Sequence, residues 1–124
     1  MAKNSLNKLV WNDDHLKLIC GFANARGGKI VIGINSKGNA TGMLDIPRLM
    51  AHIPSVVKAH LGIQIGLTVN WDNFNKYLEV TIDPSSHPIS YNGQYYYRHG
   101  NSNKELTGDE LDQFLLQKQG RPQH

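Results

Sequence analysis

Residues 21–33, Gly-Phe-Ala-Asn-Ala-Arg-Gly-Gly-Lys-Ile-Val-Ile-Gly, decide the fold, because the pattern changes there from helical to extended. Just upstream, apolar side chains recur at helical spacing, as Leu16, Ile19, Cys20 and Ala23. The glycine pair 27–28 ends the predicted helix, since glycine accepts the left-handed conformation of a C-cap. The β-branched run 29–35 then predicts a strand buried on both faces. This order is the reverse of a phosphate loop, in which a strand precedes the glycines and a helix follows them.

The rest of the chain alternates between turn signals and short periodic segments, as in a single domain. After the first strand we expect a turn (36–39), a short strand through Met43, a helix (46–61) with Pro47 in its first turn and Gly62 after it, a hairpin of two strands (63–71 and 76–83), a loop (84–93), a strand (95–99) and a capped helix (108–118). This succession predicts an α+β domain over residues 1–118, with a mixed, mainly antiparallel sheet flanked by about three helices. Residues 119–124 form a predicted tail.

Charge is distributed unevenly along the 124 residues, although the net charge is only +3. Residues 1–60 hold eight basic and three acidic side chains, whereas residues 61–124 hold five basic and seven acidic ones. The basic half permits an anionic partner such as nucleic acid, although charge alone favours a solvated basic face.

Cysteine and hydropathy patterns exclude several classes of protein. The single cysteine, Cys20, cannot form an internal disulfide or a multi-cysteine zinc site, and we expect a buried structural thiol. The six histidines show no metal-ligand spacing apart from His52 and His60, which are eight residues apart on one predicted helix. Residues 1–14 lack an apolar signal core, and no stretch approaches the ~18 apolar residues of a membrane span. The sequence therefore predicts a cytoplasmic protein without membrane association.

Three local patterns carry a resemblance to a known family. They are the stretch 21–33, Asp83-Pro-Ser-Ser-His-Pro-Ile-Ser-Tyr91 and Tyr95-Tyr-Tyr-Arg-His-Gly-Asn-Ser102. In this order, from about Trp11 to Lys118, they resemble the Schlafen AlbA-like domains, to which DNA binding is ascribed. The matching features are Phe22-Ala23-Asn24, Gly27-Gly28, the strand 30–34, Gly38, Gly42, Pro88 and the segment 95–100. The resemblance implies the fold and nucleic-acid binding, with DNA preferred over RNA, in a bacterial protein of the transcriptional-regulator type.

The acidic positions of this family are not filled by acids here, which bears on enzymatic activity. Leu6 stands where the family has a glutamate, Lys8 stands at its lysine, and Asn35-Ser36 replace an aspartate after the first strand. Animal members that cut RNA use these carboxylates, and a divalent metal requires such oxygen ligands. We therefore expect no enzymatic activity, no metal and no cofactor. A divalent-metal ribonuclease remains the disfavoured alternative, because the acidic positions are Leu6 and Ser36.

The expected nucleic-acid contacts are five basic side chains that bind phosphates and three polar side chains that orient loops. The basic set is Lys8, Arg26, Lys29, Lys37 and Arg98, and the polar set is Asn24, Asn101 and Ser102. Arg26 and Lys29 lie at the start of the predicted strand, and Lys37 lies roughly 20 Å away at its other end. A competing interpretation pairs Arg98 locally with Glu79 or Glu105.

Two further alternatives concern the tyrosine-rich strand and the function class. Alternation places Tyr95 and Tyr97 on one face and Tyr96 on the other, so that one face packs in the core and the other is available to stack bases or sugars. The competing function is a protein-interaction or oligomerisation module, with a homodimer as the assembly.

Overall fold

The computed structural model describes residues 5–119, which hold three helices and seven strands, five of them consecutive, as in an α+β domain. In chain order the elements are β1 (Ser5–Lys8), α1 (His15–Asn24), β2 (Gly28–Ile32), α2 (Ile46–Leu61), β3 (Gly66–Asp72), β4 (Asn75–Ile82), β5 (Ser90–Tyr91), β6 (Gln94–His99), β7 (Ser102–Leu106) and α3 (Gly108–Gln119). The predicted fold class, with three helices, is confirmed.

The strands form two separate sheets. The larger sheet has the order β1-β2-β4-β3, in which β1 runs parallel to β2 and the other neighbours are antiparallel. The smaller sheet has the order β5-β6-β7 and is antiparallel throughout. The predicted mixed, mainly antiparallel pairing is confirmed, but the strands are divided between two sheets. Pro84 and Pro88 lie in the connection between the sheets, where they cannot donate to a strand ladder.

The main core forms where α1 and α2 cover one face of the larger sheet. Ile30 and Ile32 of β2 and Leu78 and Val80 of β4 are fully buried there. The same cluster includes Tyr96 of the smaller sheet, and α1 therefore packs against both sheets. Burial of a large aliphatic side chain contributes about 1.5–3 kcal/mol, so this core fixes the end of α1 relative to β2 and β6.

Strand β2 is buried on both faces, as the run of β-branched residues predicts. On the face away from the helices, Val31 is in contact with a small cluster that contains Ile34, Ala40 and Tyr77. The segment that follows β2 folds back to supply two of these side chains.

Helix α2 has the predicted bounds, because both of its ends carry strong local signals. The carboxylate of Asp45 accepts a hydrogen bond from the backbone N–H of Arg48 (3.3 Å), and Pro47 lies in the first turn. Gly62 ends the helix in the left-handed conformation, with φ 71°. The hairpin predicted from the two alternating runs is also confirmed, as β3 and β4.

The structure differs from the prediction in its short strands. The sequence does not predict β1 (SLNK), β5 (SY) or β7 (SNKEL), because these segments are too short or too polar to show alternation. The strand predicted through Met43 is wrong: only an isolated bridge between Ile34 and Ala40 forms in this described segment. Helix α3 extends to Gln119, and residues 1–4 and 120–124 lie outside the described part of the chain. Within residues 5–119, no helix is both long enough and apolar enough to cross a bilayer.

Candidate nucleic-acid interface

The turn between α1 and β2 is fixed by close contacts at Gly27. Its backbone N–H donates to the carbonyl oxygen of Phe22 (2.8 Å), and its φ is 78°. A Cβ atom here would lie 2.5 Å from the carbonyl oxygen of Ile82 and 2.9 Å from Cδ of Pro84. Glycine is therefore required for both conformation and space, and the turn holds the backbone of Arg26 in a fixed place.

Arg26 and Arg98 line one groove, although they are far apart in the sequence. The groove has a volume of about 430 Å³ and lies between the α1–β2 turn and the β6–β7 hairpin, lined by residues 25–27 and 97–101. We call it the arginine groove. Of the predicted contacts, it brings together Arg26, Arg98 and Asn101. Within residues 5–119, neither arginine forms an ion pair with a carboxylate.

The Arg98 guanidinium is half-buried and rests on an aromatic ring. Its Cζ atom lies 5.3 Å from the centroid of the Phe22 ring. Burial lowers the pKa of Arg98, but an arginine stays charged at neutral pH. Its Nε is buried and has no hydrogen-bond partner among the described residues. The competing local pair is not formed, because Glu79 pairs instead with Lys29 and no ion pair joins Arg98 to Glu105.

Asn24 is a buried side chain that holds the backbone around this site in place through hydrogen bonds. Its Nδ2 donates to the carbonyl oxygens of Ile89 (2.8 Å) and Tyr96 (2.7 Å), and its Oδ1 accepts from the backbone N–H of Ile89 (2.8 Å). The side chain is 1% exposed, which leaves no surface for a ligand. Direct nucleic-acid contact by Asn24 is therefore excluded, and its effect on the site is through the position of β6.

A second groove of about 500 Å³ shares Arg26 and Gly27 with the arginine groove and extends to Lys29 and Glu79. Lys29 forms an ion pair with Glu79, with 3.5 Å between Nζ and Oε1. This pairing reduces the net charge that Lys29 presents to an incoming phosphate. Asp83 also lines this groove, so its electrostatic character is mixed.

The predicted polar loop at 100–102 is a tight hairpin turn. Gly100, at φ 60°, and Asn101 connect β6 to β7, and Asn101 is exposed in the wall of the arginine groove. Ser102 is not a loop residue, because it begins β7 opposite His99. Its hydroxyl donates to the carbonyl oxygen of His99 at 3.4 Å.

Lys8 and Lys37 lie at the opposite end of β2 from the arginine groove. Parallel register places Lys8 beside Ile32, and Lys37 lies in the exposed turn after the strand. A strand rises about 3.3 Å per residue, so the two ends of the five-residue strand β2 are roughly 13 Å apart, and the expected 20 Å was too long because the strand ends at Ile32. The predicted basic set is therefore divided into two groups by the length of one strand.

The tyrosine-rich strand uses both of its faces for packing. Tyr96 is buried against α1 and its hydroxyl donates to Oε1 of Gln94 (2.9 Å). Tyr95 and Tyr97 face the other way, with ring centroids 6.3 and 6.0 Å from that of Phe114 in α3. The face predicted to stack bases is thus partly covered by a helix.

Within residues 5–119, the cysteine and histidine side chains do not assemble a catalytic or metal-binding site. Burial raises the pKa of the Cys20 thiol to about 11, and its Sγ donates to the carbonyl oxygen of Ile89 (3.2 Å), as in a structural thiol. His52 lies 3.0 Å from the carboxylate of Asp13. No group of three or more potential metal ligands occurs in the described chain. The two substituted acidic positions are occupied by Leu6, which packs against the core, and Ser36, which lies in an exposed turn.

Sequence reasoning missed a contact that joins the hairpin to α1. Asn103 of β7 donates from Nδ2 to the carbonyl oxygen of Lys17 (3.0 Å), and a Cβ atom at Gly21 would overlap the Asn103 side chain. Gly21 lies in the quoted stretch, and its position inside a helix is the signal that a close neighbour requires it. The sequence carries no indication that this neighbour is Asn103.

The fold and its grooves define a small α+β domain with a basic cleft at the end of its first helix. Residues 2–107 match the family model described as Schlafen, AlbA_2, and since this covers most of the chain, the protein belongs to that family. The match includes every strand and both helices of the core, and ends just before α3. No protein of curated function matches the sequence.

Two solved structures show the same fold at low sequence identity. The DIP2311 protein from Corynebacterium diphtheriae is 15% identical with a TM-score of 0.64, and the match covers 84% of this chain but only 25% of that protein. The other is named "N-terminal Domain of Putative ATP-dependent DNA Helicase RecG-related Protein", from Nitrosomonas europaea. It is 19% identical with a TM-score of 0.63, and the match covers 88% of this chain and 86% of that domain.

Proposed function

We propose that this domain binds nucleic acid through its phosphate backbone, with Arg26 and Arg98 as the main contacts. The observation that carries the proposal is that both guanidinium-bearing side chains line one groove and that neither is neutralised by a carboxylate within residues 5–119. Guanidinium groups bind phosphates in bidentate fashion, and charge-assisted hydrogen bonds of this kind are stronger than neutral ones. Contacts of this type are independent of base sequence.

DNA is the preferred partner in this proposal, ahead of RNA. Membership of the Schlafen AlbA_2 family and the name of the RecG-related structural neighbour support nucleic-acid binding in general, and the comparison of DNA with RNA binding tests the preference. We further propose a cytoplasmic, non-enzymatic binding module that serves a regulator-type protein in bacteria. The absence of acids at Leu6 and Ser36 supports a binding role over a metal-dependent nuclease.

The test is a titration of short labelled DNA and RNA, double- and single-stranded, with the whole chain at low and moderate salt. We expect salt-dependent binding that is weakened several-fold by Arg26→Gln and by Arg98→Gln. Lys58→Gln is the matched control, because Lys58 is an exposed basic residue near the end of α2 and its replacement removes the same single charge. No binding at micromolar protein, or equal effects of Arg26→Gln and Lys58→Gln, would contradict the proposal.

Sedimentation of the protein alone distinguishes nucleic-acid binding from the competing function, an interaction or oligomerisation module. A stable homodimer without nucleic-acid affinity would favour that function. A ribonuclease predicts cleavage of RNA with Mg²⁺ or Mn²⁺ that a chelator stops, and we expect no such cleavage.

A further inference from the structure

The tip of the β3–β4 hairpin carries two aromatic side chains that the fold does not bury. Trp71 is 61% exposed and Phe74 is 92% exposed, and both line a groove of about 320 Å³ together with Leu44 and Pro47. Phe74 is the second residue of the two-residue turn between β3 and β4, and the first, Asn73, has a φ of 58°. Turn positions of this kind favour glycine and small polar residues, so hairpin formation does not account for a phenylalanine there.

Basic side chains flank these aromatic rings. Lys76 is the cross-strand partner of Trp71, and its Nζ lies 5.1 Å from the centroid of the indole ring. The turn that bears Lys37 is joined to the same tip, because Asn75 donates from Nδ2 to the carbonyl oxygen of Ala40 (3.0 Å). Within residues 5–119, neither Lys37 nor Lys76 forms an ion pair.

The acidic residue at the tip is already engaged. The carboxylate of Asp72 accepts a hydrogen bond from the backbone N–H of Ala40 (2.9 Å). The tip therefore combines exposed aromatic rings with unpaired ammonium groups, and its carboxylate faces the backbone of a neighbouring turn. An anionic polymer with flat apolar groups matches this combination, because its phosphates would meet the lysines where its bases meet the rings.

We propose that Trp71 and Phe74 form a stacking site for unpaired bases of a single-stranded nucleic acid. This inference rests on the proposed function and names its substrate class as a strand with exposed bases, since the bases of a duplex are stacked on one another and cannot reach the rings. The tip lies at the Lys37 end of β2, and the strand itself spans roughly 13 Å from there towards the arginine groove. A single strand held at Arg26 and Arg98 is thus able to continue to Trp71.

The experiment compares binding of a labelled oligothymidylate and of a duplex of the same length by the whole chain at low salt. Trp71→Ala and Phe74→Ala are each expected to weaken single-strand binding by about 5- to 100-fold, the range for loss of one stacked base. Duplex binding is expected to change by less than about twofold, and Trp71→Phe to retain most of the single-strand affinity. The control is Leu116→Ala, which removes an apolar side chain of similar exposure (65%) from α3.

Several outcomes would overturn the stacking site. If Trp71→Ala and Phe74→Ala bind the oligothymidylate as the wild type does, while Arg26→Gln weakens it, the stacking site is wrong and the phosphate-binding function stands. If the wild type binds neither probe, the proposed function itself fails. If Trp71→Ala keeps its oligothymidylate binding but loses binding to anionic vesicles or formation of a homodimer, the tip contacts a membrane or a second copy of the chain instead. Unchanged melting temperatures of the variants exclude misfolding as the cause of lost binding. If one of the two variants does not fold, the other still tests the stacking site.

Discussion

The Arg98 guanidinium lies on the ring of Phe22, with 5.3 Å between Cζ and the ring centroid. This contact joins β6 to α1 and places the charge of Arg98 in the wall of the groove that also contains Arg26. A cation over an aromatic face is stabilised by about 0.5–2 kcal/mol, and stacking on the ring fixes the orientation of the planar guanidinium. The position of the charge is therefore a property of the folded core.

Replacing Arg98 by lysine distinguishes the contribution of its positive charge from that of its planar guanidinium. Arg98→Lys keeps the positive charge but loses the planar fork, so we expect DNA affinity to fall about three- to tenfold with an unchanged dependence on salt concentration. Arg98→Gln should lower both the affinity and the salt dependence. Fluorescence anisotropy at several salt concentrations measures both quantities. Equal behaviour of the two variants would mean that Arg98 does not bind a phosphate.

Asn24 is expected to be among the most sensitive positions for stability. Asn24→Ala removes the three hydrogen bonds from Asn24 to the backbone of Ile89 and Tyr96 and leaves the buried N–H of Ile89 without this partner, so the free energy of unfolding should fall by about 3 kcal/mol. The exposed Asn39 provides the control, and Asn39→Ala should cost under about 0.5 kcal/mol. Urea denaturation measures both. A loss below about 1 kcal/mol for Asn24→Ala would show that water takes over the hydrogen bonds of the Asn24 side chain.

Gly27 and Gly38 separate the cost of a left-handed backbone from the cost of crowding. Both have positive φ, 78° and 86°, but only Gly27 has backbone atoms where a Cβ would be placed. Gly38→Ala should therefore destabilise by about 1–2 kcal/mol and Gly27→Ala by at least about 3 kcal/mol. Gly27→Ala should also weaken DNA binding, because the turn positions Arg26. Similar losses of stability for the two variants would contradict the described packing.

Much of the fold is encoded locally and could be predicted. The ends of α2 carry Asp45, Pro47 and Gly62, each of which has a local stereochemical preference, and the predicted bounds agree with the structure. The strand β1 has no such signal, because the four residues SLNK are stabilised by parallel pairing to β2 about 24 positions later. Long-range pairing of this kind is set by the tertiary fold.

The site could be predicted only as a set of residue types. Basic side chains in the first half and the Arg98 segment are visible in the sequence, but the sharing of one groove by Arg26 and Arg98 depends on how α1 packs on β6. The Lys29–Glu79 pair and the burial of Asn24 arise from strand register and core packing in the same way. Neither has a signature at the level of local sequence.

The buried thiol of Cys20 makes stability depend on pH at high pH. Burial raises its pKa from the ordinary value of 9.0 to about 11, so the unfolded chain loses this proton first. The stabilising effect of the neutral thiol is fully present below pH 9 and is lost as pH rises towards 11, by about 1.4 kcal/mol per pH unit. Urea denaturation between pH 8 and 10.5 should show this fall in the wild type, and Cys20→Ala should show a smaller one. Parallel pH profiles for the two proteins would contradict the burial of the thiol.

The dependence of DNA affinity on salt concentration tests the phosphate-binding interface most directly. Wild-type protein, Arg26→Glu, Lys37→Glu and Arg98→Glu are titrated with one DNA over a range of salt, and the slope of log affinity against log salt is compared. If the interface runs along β2 from the arginine groove to the Lys37 turn, Arg26→Glu and Lys37→Glu each weaken binding and each lower the slope by about one unit. If Lys37→Glu leaves binding untouched while Arg98→Glu abolishes it, contact is confined to the β6–β7 hairpin and the extended interface is wrong.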